Sequence, residues 1–208
     1  MRIDPAGWPF IGAGIVVAAL AAVVAGSAVG AVALVLPAFF LFFFRDPDRR
    51  TVAAAGEVVS PADGRVMHAG PAVGAFASGG WQQVTIFLSP MDVHVNRMPL
   101  GGRVTAVTYH PGRFLAAYKP ESGDLNEHTE VVLDHDGQTI VVRQIVGVLA
   151  RRIVCRVREG DVVQTGSRFG VMKFGSRMDV FLPGRSTLTV AVGDRVKAGV
   201  TLIGRLPS

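Results

Sequence analysis

The sequence predicts a mostly β fold of flattened, barrel-like sheets that follows an N-terminal apolar helical membrane segment. Three observations predict it. Every position from Pro5 to Phe44 is uncharged, and most are Ala, Val, Leu, Ile or Phe. From Thr51 onward the texture changes to short apolar alternations, broken by Gly, Pro or Asp every eight to twelve residues or so, the pattern of an all-β sandwich or barrel with tight turns. Inside that body a repeat is visible: GDVVQTG at Gly160 to Gly166 returns as GDRVKAG at Gly193 to Gly199, and DGRV at Asp63 to Val66 returns as GGRV at Gly101 to Val104. Two copies of a strand between Gly turns suggest pseudo-symmetric sheets.

The composition sets the outer bounds. Half of the 208 residues are hydrophobic and only 18% are charged, which excludes a chain too polar to build a core. Residues 1–50 are expected to form the membrane anchor and 51–208 a single β domain. Beyond Phe44, 164 residues hold 20 basic and 15 acidic groups, because Arg2 and Asp4 cancel. Lys and Arg are scattered without interleaved aromatics, so nucleic acid is not an expected partner, whereas an anionic membrane surface is. The single Cys155 excludes an intramolecular disulfide, and no CxxC or HxxxH pair offers a zinc site, so no metal is expected.

The apolar segment divides into Trp8 to Ala25 and Val29 to Phe44 around a Gly26-Ser27 break. At 1.5 Å per residue each piece reaches about 24 to 27 Å, a little short of the ~30 Å hydrocarbon core, so a tight hairpin and a re-entrant pair both fit. Arg2 precedes the first piece, and Arg45, Arg49 and Arg50 follow the second. By the positive-inside rule both ends, and the body with them, face the cytoplasm of the cell membrane. A cleaved signal peptide competes with this reading, but the run through LVLPAFFLFFF outlasts a signal core of about 7 to 15 residues.

In the body, strands are expected at VTIFL (Val84 to Leu88), EVVLD (Glu130 to Asp134), TIVVRQIVGV (Thr139 to Val148) and RIVCRVR (Arg152 to Arg158), with one short helix over Arg113 to Lys119. Alternation in RRIVCRVR puts Ile153, Cys155 and Val157 on one face. Arg152, Arg156 and Arg158 fall on the other, facing either anionic headgroups or solvent. The GDxVxxG repeat resembles lipoyl and biotinyl carrier domains, which would make the chain a membrane-tethered adaptor without catalysis. Lys173 lies between the copies, but without the flanking residues of a lipoyl or biotin site.

Gly175-Ser176 sits between the apolar runs VMKF and MDVFLP, where a surface loop would be more polar. An ordinary β-turn is one reading. Self-cleavage is the other: the Ser hydroxyl attacks the preceding carbonyl, which Gly leaves unhindered and free to adopt strained dihedrals. Elimination from the resulting ester and hydrolysis would leave a pyruvoyl ketone. Such a ketone forms a Schiff base with an amine and serves as an electron sink.

KFGSRMDVFLP, with SPADGRV (Ser60 to Val66) and FLSPMDVHVNRMP (Phe87 to Pro99), resembles the phosphatidylserine decarboxylase proenzymes, in particular the short bacterial and archaeal form. The resemblance covers nearly the whole chain. It implies a precursor cut between Gly175 and Ser176 into a β chain, 1–175, and an α chain, 176–208, that stay associated and begin the α chain with a pyruvoyl cofactor derived from Ser176. It further implies decarboxylation of membrane phosphatidylserine to phosphatidylethanolamine. His94 matches a histidine of the decarboxylation step and Asp63 an aspartate that supports processing, with Asp92 in a similar supporting place. A homo-oligomer is compatible with it. One departure stands out: a second histidine three residues after the first, which completes an Asp-His-Ser arrangement in longer relatives, is Arg97 here. Arginine stays protonated and is a poor base, so either His94 takes the Ser176 proton or strain and oxyanion stabilisation carry more of the step. His68, His110, His128 and His135 receive no role.

Overall fold

The computed structural model describes residues 1–148, 152–173 and 175–207. The chain divides into two compact units, Met1–Asp48 and Arg49–Ser208. In the first, β1 (Arg2–Ile3) pairs with β2 (Arg45–Asp46), and between them run α1 (Trp8–Ala25), α2 (Ser27–Ala33) and α3 (Val35–Phe43). Gly26, at φ 93°, ends α1 where the sequence predicts a break. The second apolar piece differs from expectation: it begins at Ser27, not Val29, and is interrupted at Leu34. Pro37 supplies the reason, because it cannot donate to the Ala33 carbonyl and its ring crowds that turn. Small residues bring the helices close. A Cβ on Gly30 would lie 2.8 Å from Ala22 Cα, and one on Gly14 would lie 3.1 Å from the Pro37 ring. Close packing of this kind is how helices associate where water supplies no driving force. Pro5–Ala25 is long and apolar enough to cross a membrane, and Ser27–Phe43 is shorter.

The second unit is mostly β. Its strands are β3 (Glu57–Val59), β4 (Gly64–Pro71), β5 (Trp81–Leu88), β6 (Val95–Arg97), β7 (Gly102–His110), β8 (His128–His135), β9 (Gln138–Ile145), β10 (Ile153–Cys155), β11 (Val162–Val163), β12 (Arg168–Met172), β13 (Ser176–Pro183), β14 (Thr187–Leu188), β15 (Arg195–Val196) and β16 (Leu202–Arg205). Eight of them form an antiparallel sheet in the order β11-β7-β8-β9-β13-β5-β4-β15, curled into a half-barrel. Two three-stranded sheets, β10-β12-β6 and β14-β16-β3, complete the unit. The period of two sorts the large sheet into faces. Val84, Ile86 and Leu88 of β5, Ile140 and Val142 of β9, and Met178, Val180 and Leu182 of β13 join a buried core with Met98, Leu100, Phe169, Met172 and Ile203. The opposite face carries Thr85, Arg143, Arg177, Asp179 and Phe181.

The repeat has a structural counterpart. The Gly160 N–H donates to the Val104 carbonyl and the Val104 N–H to the Asp161 carbonyl, both at 2.8 Å, and Gly193, Val66 and Asp194 repeat the pattern at 2.9 Å. Each GDxVxxG copy is thereby a two-residue strand sealing one edge of the sheet. β12 and β13, which flank Lys173, lie in different sheets, so Lys173 is not at the hairpin tip where a carrier domain presents its lysine.

Three local expectations are corrected. Arg113 to Lys119 is not helical; Asn126 takes the Leu115 N–H at 2.9 Å and donates to its carbonyl at 2.8 Å, so those groups are satisfied across a loop. The short helices lie elsewhere, as α4 (Ser122–Leu125) and a 3-10 segment at Gly74–Gly79. The strand expected through Val148 ends at Ile145, where the Val146 N–H turns away to the Glu127 carbonyl at 3.1 Å. In RIVCRVR only Ile153–Cys155 is strand, although Arg152, Arg156 and Arg158 are exposed on the side that alternation predicts.

The edge seals yield a test. Val196→Ala, at a buried edge position, is expected to cost about 2 kcal/mol, whereas Val162→Ala, at the exposed position of the other edge strand, stays within about 0.5 kcal/mol. Denaturant titration of both variants measures the difference.

Candidate active site

Ser176 opens β13 opposite Leu88 of β5. It shares the core face with Met178 and Val180, is fully buried, and its Oγ makes no hydrogen bond among the described residues. Gly175 before it has φ 66°, in the left-handed region where a side chain is costly. The Gly175 carbonyl oxygen lies so close against Gly147 that a Cβ there would overlap it. Phe174, the next residue back in the motif, lies outside the described residues.

His94 is reached from the other end of the same pairing. Beyond Leu88 the chain makes a turn in which the Asp92 N–H donates to the Ser89 carbonyl at 2.9 Å and the Ser89 N–H donates to Asp92 Oδ2 at 2.8 Å. Arg195 donates to the other Asp92 oxygen at 3.1 Å. That turn delivers His94, fully buried, with Nδ1 3.0 Å from the Asp92 carbonyl. A carbonyl only accepts, so Nδ1 holds a proton and the neutral ring has its lone pair on Nε2. The His94 carbonyl accepts from the Met172 N–H at 3.2 Å, beside the end of β12 and four residues before Ser176. Gly175, Ser176 and His94 therefore share one end of the large sheet.

Asp63 lies at the same end but immediately before β4, two strand spacings or about 10 Å across from Ser176. Both its oxygens are taken by Arg49, one at 2.7 Å, and Oδ1 also accepts the Ala198 N–H at 2.8 Å. Asp92 acts on His94 through its backbone carbonyl. Arg97 is buried and donates to the Gly166 carbonyl at 3.0 Å.

Sequence reasoning missed three features. Gly147 is the first. The second is Arg177, which holds Asp179 in a two-pronged ion pair at 2.8 Å and donates to the Lys119 and Pro120 carbonyls at 3.3 and 3.1 Å. It ties the loop between β7 and β8 to β13, and the i, i+2 spacing of Arg177 and Asp179 was the available signal. The third is the pocket that this loop makes beside Gly175, about 190 Å³, lined by Phe87, Pro90, Ala116, Ala117, Tyr118 and Val148. A neighbouring pocket of about 330 Å³ shares Ala117 and Tyr118 with it.

The matches with known proteins follow this geometry. The family model described as phosphatidylserine decarboxylase matches residues 36–204. The chain belongs to the phosphatidylserine decarboxylase family. A protein of Symbiobacterium thermophilum named phosphatidylserine decarboxylase proenzyme is 48% identical over 97% of this chain and 94% of its own length. Similar proteins with the same name occur in Chlorobium chlorochromatii, 46% identical over 83% of this chain and 82% of theirs, and in Nitratidesulfovibrio vulgaris, 40% identical over 99% and 95%. The chain is accordingly an enzyme, a decarboxylase made as a zymogen in phospholipid biosynthesis, and the adaptor reading is set aside.

At the base of the decarboxylase loop, His110 and His128 face each other across β7 and β8 with rings stacked 4.5 Å apart. With Glu130 they place nitrogen and oxygen atoms within 4.8 Å of one another, although no metal was expected from the sequence. The parallel rings do not converge on one point, and Glu130 is held by Arg143 Nε at 2.8 Å. Burial first of all lowers the His128 pKa; Arg143 and His110 act in the same direction, against the Asn126 carbonyl and Glu130. The unfolded chain thus takes up the proton before the folded one does. Stability from neutral His128 is complete above the ordinary value of about 6.5 and is lost as pH falls toward the depressed folded value. His128→Gln is expected to flatten the fall in thermal midpoint below about pH 6.5, read from melts across that range.

Proposed function

We propose that this decarboxylase cuts itself between Gly175 and Ser176, carries a pyruvoyl group made from Ser176, and converts phosphatidylserine to phosphatidylethanolamine and carbon dioxide. The observation that carries the reading is the cleavage bond itself: a dry serine hydroxyl follows a left-handed glycine whose carbonyl is seated against Gly147. In the cut, a bond forms between Ser176 Oγ and the Gly175 carbonyl carbon as the peptide C–N bond breaks, and the hydroxyl proton passes to the freed nitrogen. Elimination then removes the Ser176 Cα proton to a base as Cβ–Oγ breaks, leaving the Gly175 carboxylate and a dehydroalanine, and water adds to its imine tautomer to give the pyruvoyl ketone and ammonia. The residues present fit the group so made, since among the described residues no charged side chain shares the Ser176 end of the core face and the adjoining pocket is apolar.

The pyruvoyl group supplies an electron sink for the bond that carbon dioxide leaves. The chain supplies the rest. His94 exchanges its movable proton at Nε2 and protonates the substrate carbon after decarboxylation, because Nδ1–H is committed to Asp92. Phe87, Tyr118 and Val148 line an apolar wall beside Gly175. Chains 1–175 and 176–208 stay together, because β13 is hydrogen-bonded to both β5 and β9, and β15 and β16 pair with β4 and β3. The apolar N-terminal segment holds the enzyme at its lipid substrate with the body in the cytoplasm, as the arginines at its ends favour.

Ser176→Ala is expected to persist as one chain of 22.0 kDa with no release of carbon dioxide from phosphatidylserine. A normally cut, active variant would refute the proposal. His94→Ala is expected to be cut yet to turn over about 10²- to 10⁴-fold more slowly; an uncut chain would instead assign it the processing base. Gly147→Ala places a methyl on the Gly175 carbonyl and is expected to slow cutting about 10²-fold, followed by electrophoresis during refolding.

A further inference from the structure

Next to Ser176 the core holds two more fully buried polar side chains, Asn96 of β6 and Gln144 of β9. Gln144 Nε2 donates to Asn96 Oδ1 at 2.8 Å. The remaining polar ends, Asn96 Nδ2 and Gln144 Oε1, have no hydrogen-bond partner among the described residues, and neither does Ser176 Oγ. Unpaired groups in a dry core are destabilising, and two apolar side chains of the same size would serve packing better.

The placement follows from register. Gln144 stands opposite Met178 in the β9–β13 ladder, which makes it the diagonal neighbour of Ser176 on the same face. Diagonal neighbours lie about 7 to 8 Å apart, within reach of a long side chain. Glycine at position 170, the partner of Asn96 in the β6–β12 ladder, clears the path: a Cβ there would lie 2.6 Å from Gln144 Nε2. Three strands thus cooperate to hold one amide.

We propose that Asn96 and Gln144 are a positioning pair for Ser176. Asn96 holds the glutamine amide over Gly170, and Gln144 Oε1 accepts the Ser176 hydroxyl proton in a hydrogen bond that turns an oxygen lone pair toward the Gly175 carbonyl carbon. The assignment rests on the self-cleavage reading and supplies an orienting group where Arg97 replaces the second histidine.

The test is a cleavage time course on the full-length chain. The double variant Asn96→Leu/Gln144→Met removes the polar atoms while keeping the volume, and is expected to be cut about 10²-fold more slowly. Its thermal midpoint, measured in the uncut Ser176→Ala background, is expected to equal or exceed that of Ser176→Ala alone. Wild-type cutting by the double variant would overturn the positioning role alone, and an uncut wild-type chain would overturn the cleavage reading with it. If the double variant does not fold, Asn96→Leu alone decides: it removes the group that holds the Gln144 amide, so slowed cutting supports the role and an unchanged rate overturns it.

Discussion

The chemistry at Ser176 depends on one constraint, the antiparallel pairing of β13 with β5 on one side and β9 on the other. A strand bonded on both edges has no freedom of register, since a slip of one residue would exchange its two faces. Met178, Val180 and Leu182 then have to point into the core, and Ser176 goes in with them. A hydroxyl is a poor core group, and it is held there because three apolar neighbours on the same strand set its direction.

The other parts of the site are placed by the same ladder. Leu88 lies opposite Ser176, so the Ser89–Asp92 turn begins beside Ser176 and brings His94 back alongside it. The outward face of β13 supplies Arg177, and its ion pair with Asp179 is buried, so the guanidinium is well ordered to hold the loop carbonyls. That loop closes the apolar pocket beside Gly175. Asp63 belongs to a different local structure, a clamp in which Arg49 and the Ala198 N–H share one carboxylate. Its geometry is that of a brace for the start of β4, at the same end of the sheet as Ser176.

Much of this was legible beforehand. The apolar stretch, its break at Gly26, the short strands and the repeat all follow from patterns within one segment, where a residue and its neighbours two to four positions away carry the signal. The misreadings lie where distant backbone overrides local preference. Arg113 to Lys119 has a helical composition, but Asn126 satisfies Leu115 from across the loop. Likewise the strand after Thr139 stops early because Glu127 takes the Val146 N–H. Pro37, by contrast, was a local signal in plain view.

By itself, then, the amino-acid sequence determined an apolar helical segment and a β body, because each is written in the composition or period of a few adjacent residues. Only the tertiary structure decided that Gly147 receives the Gly175 carbonyl, that Arg177 ties down the loop, and that Asn96 and Gln144 meet over Gly170. Those contacts join residues about 30 to 75 positions apart in sequence, and their partners are chosen by strand order and register, long-range properties that no local period encodes.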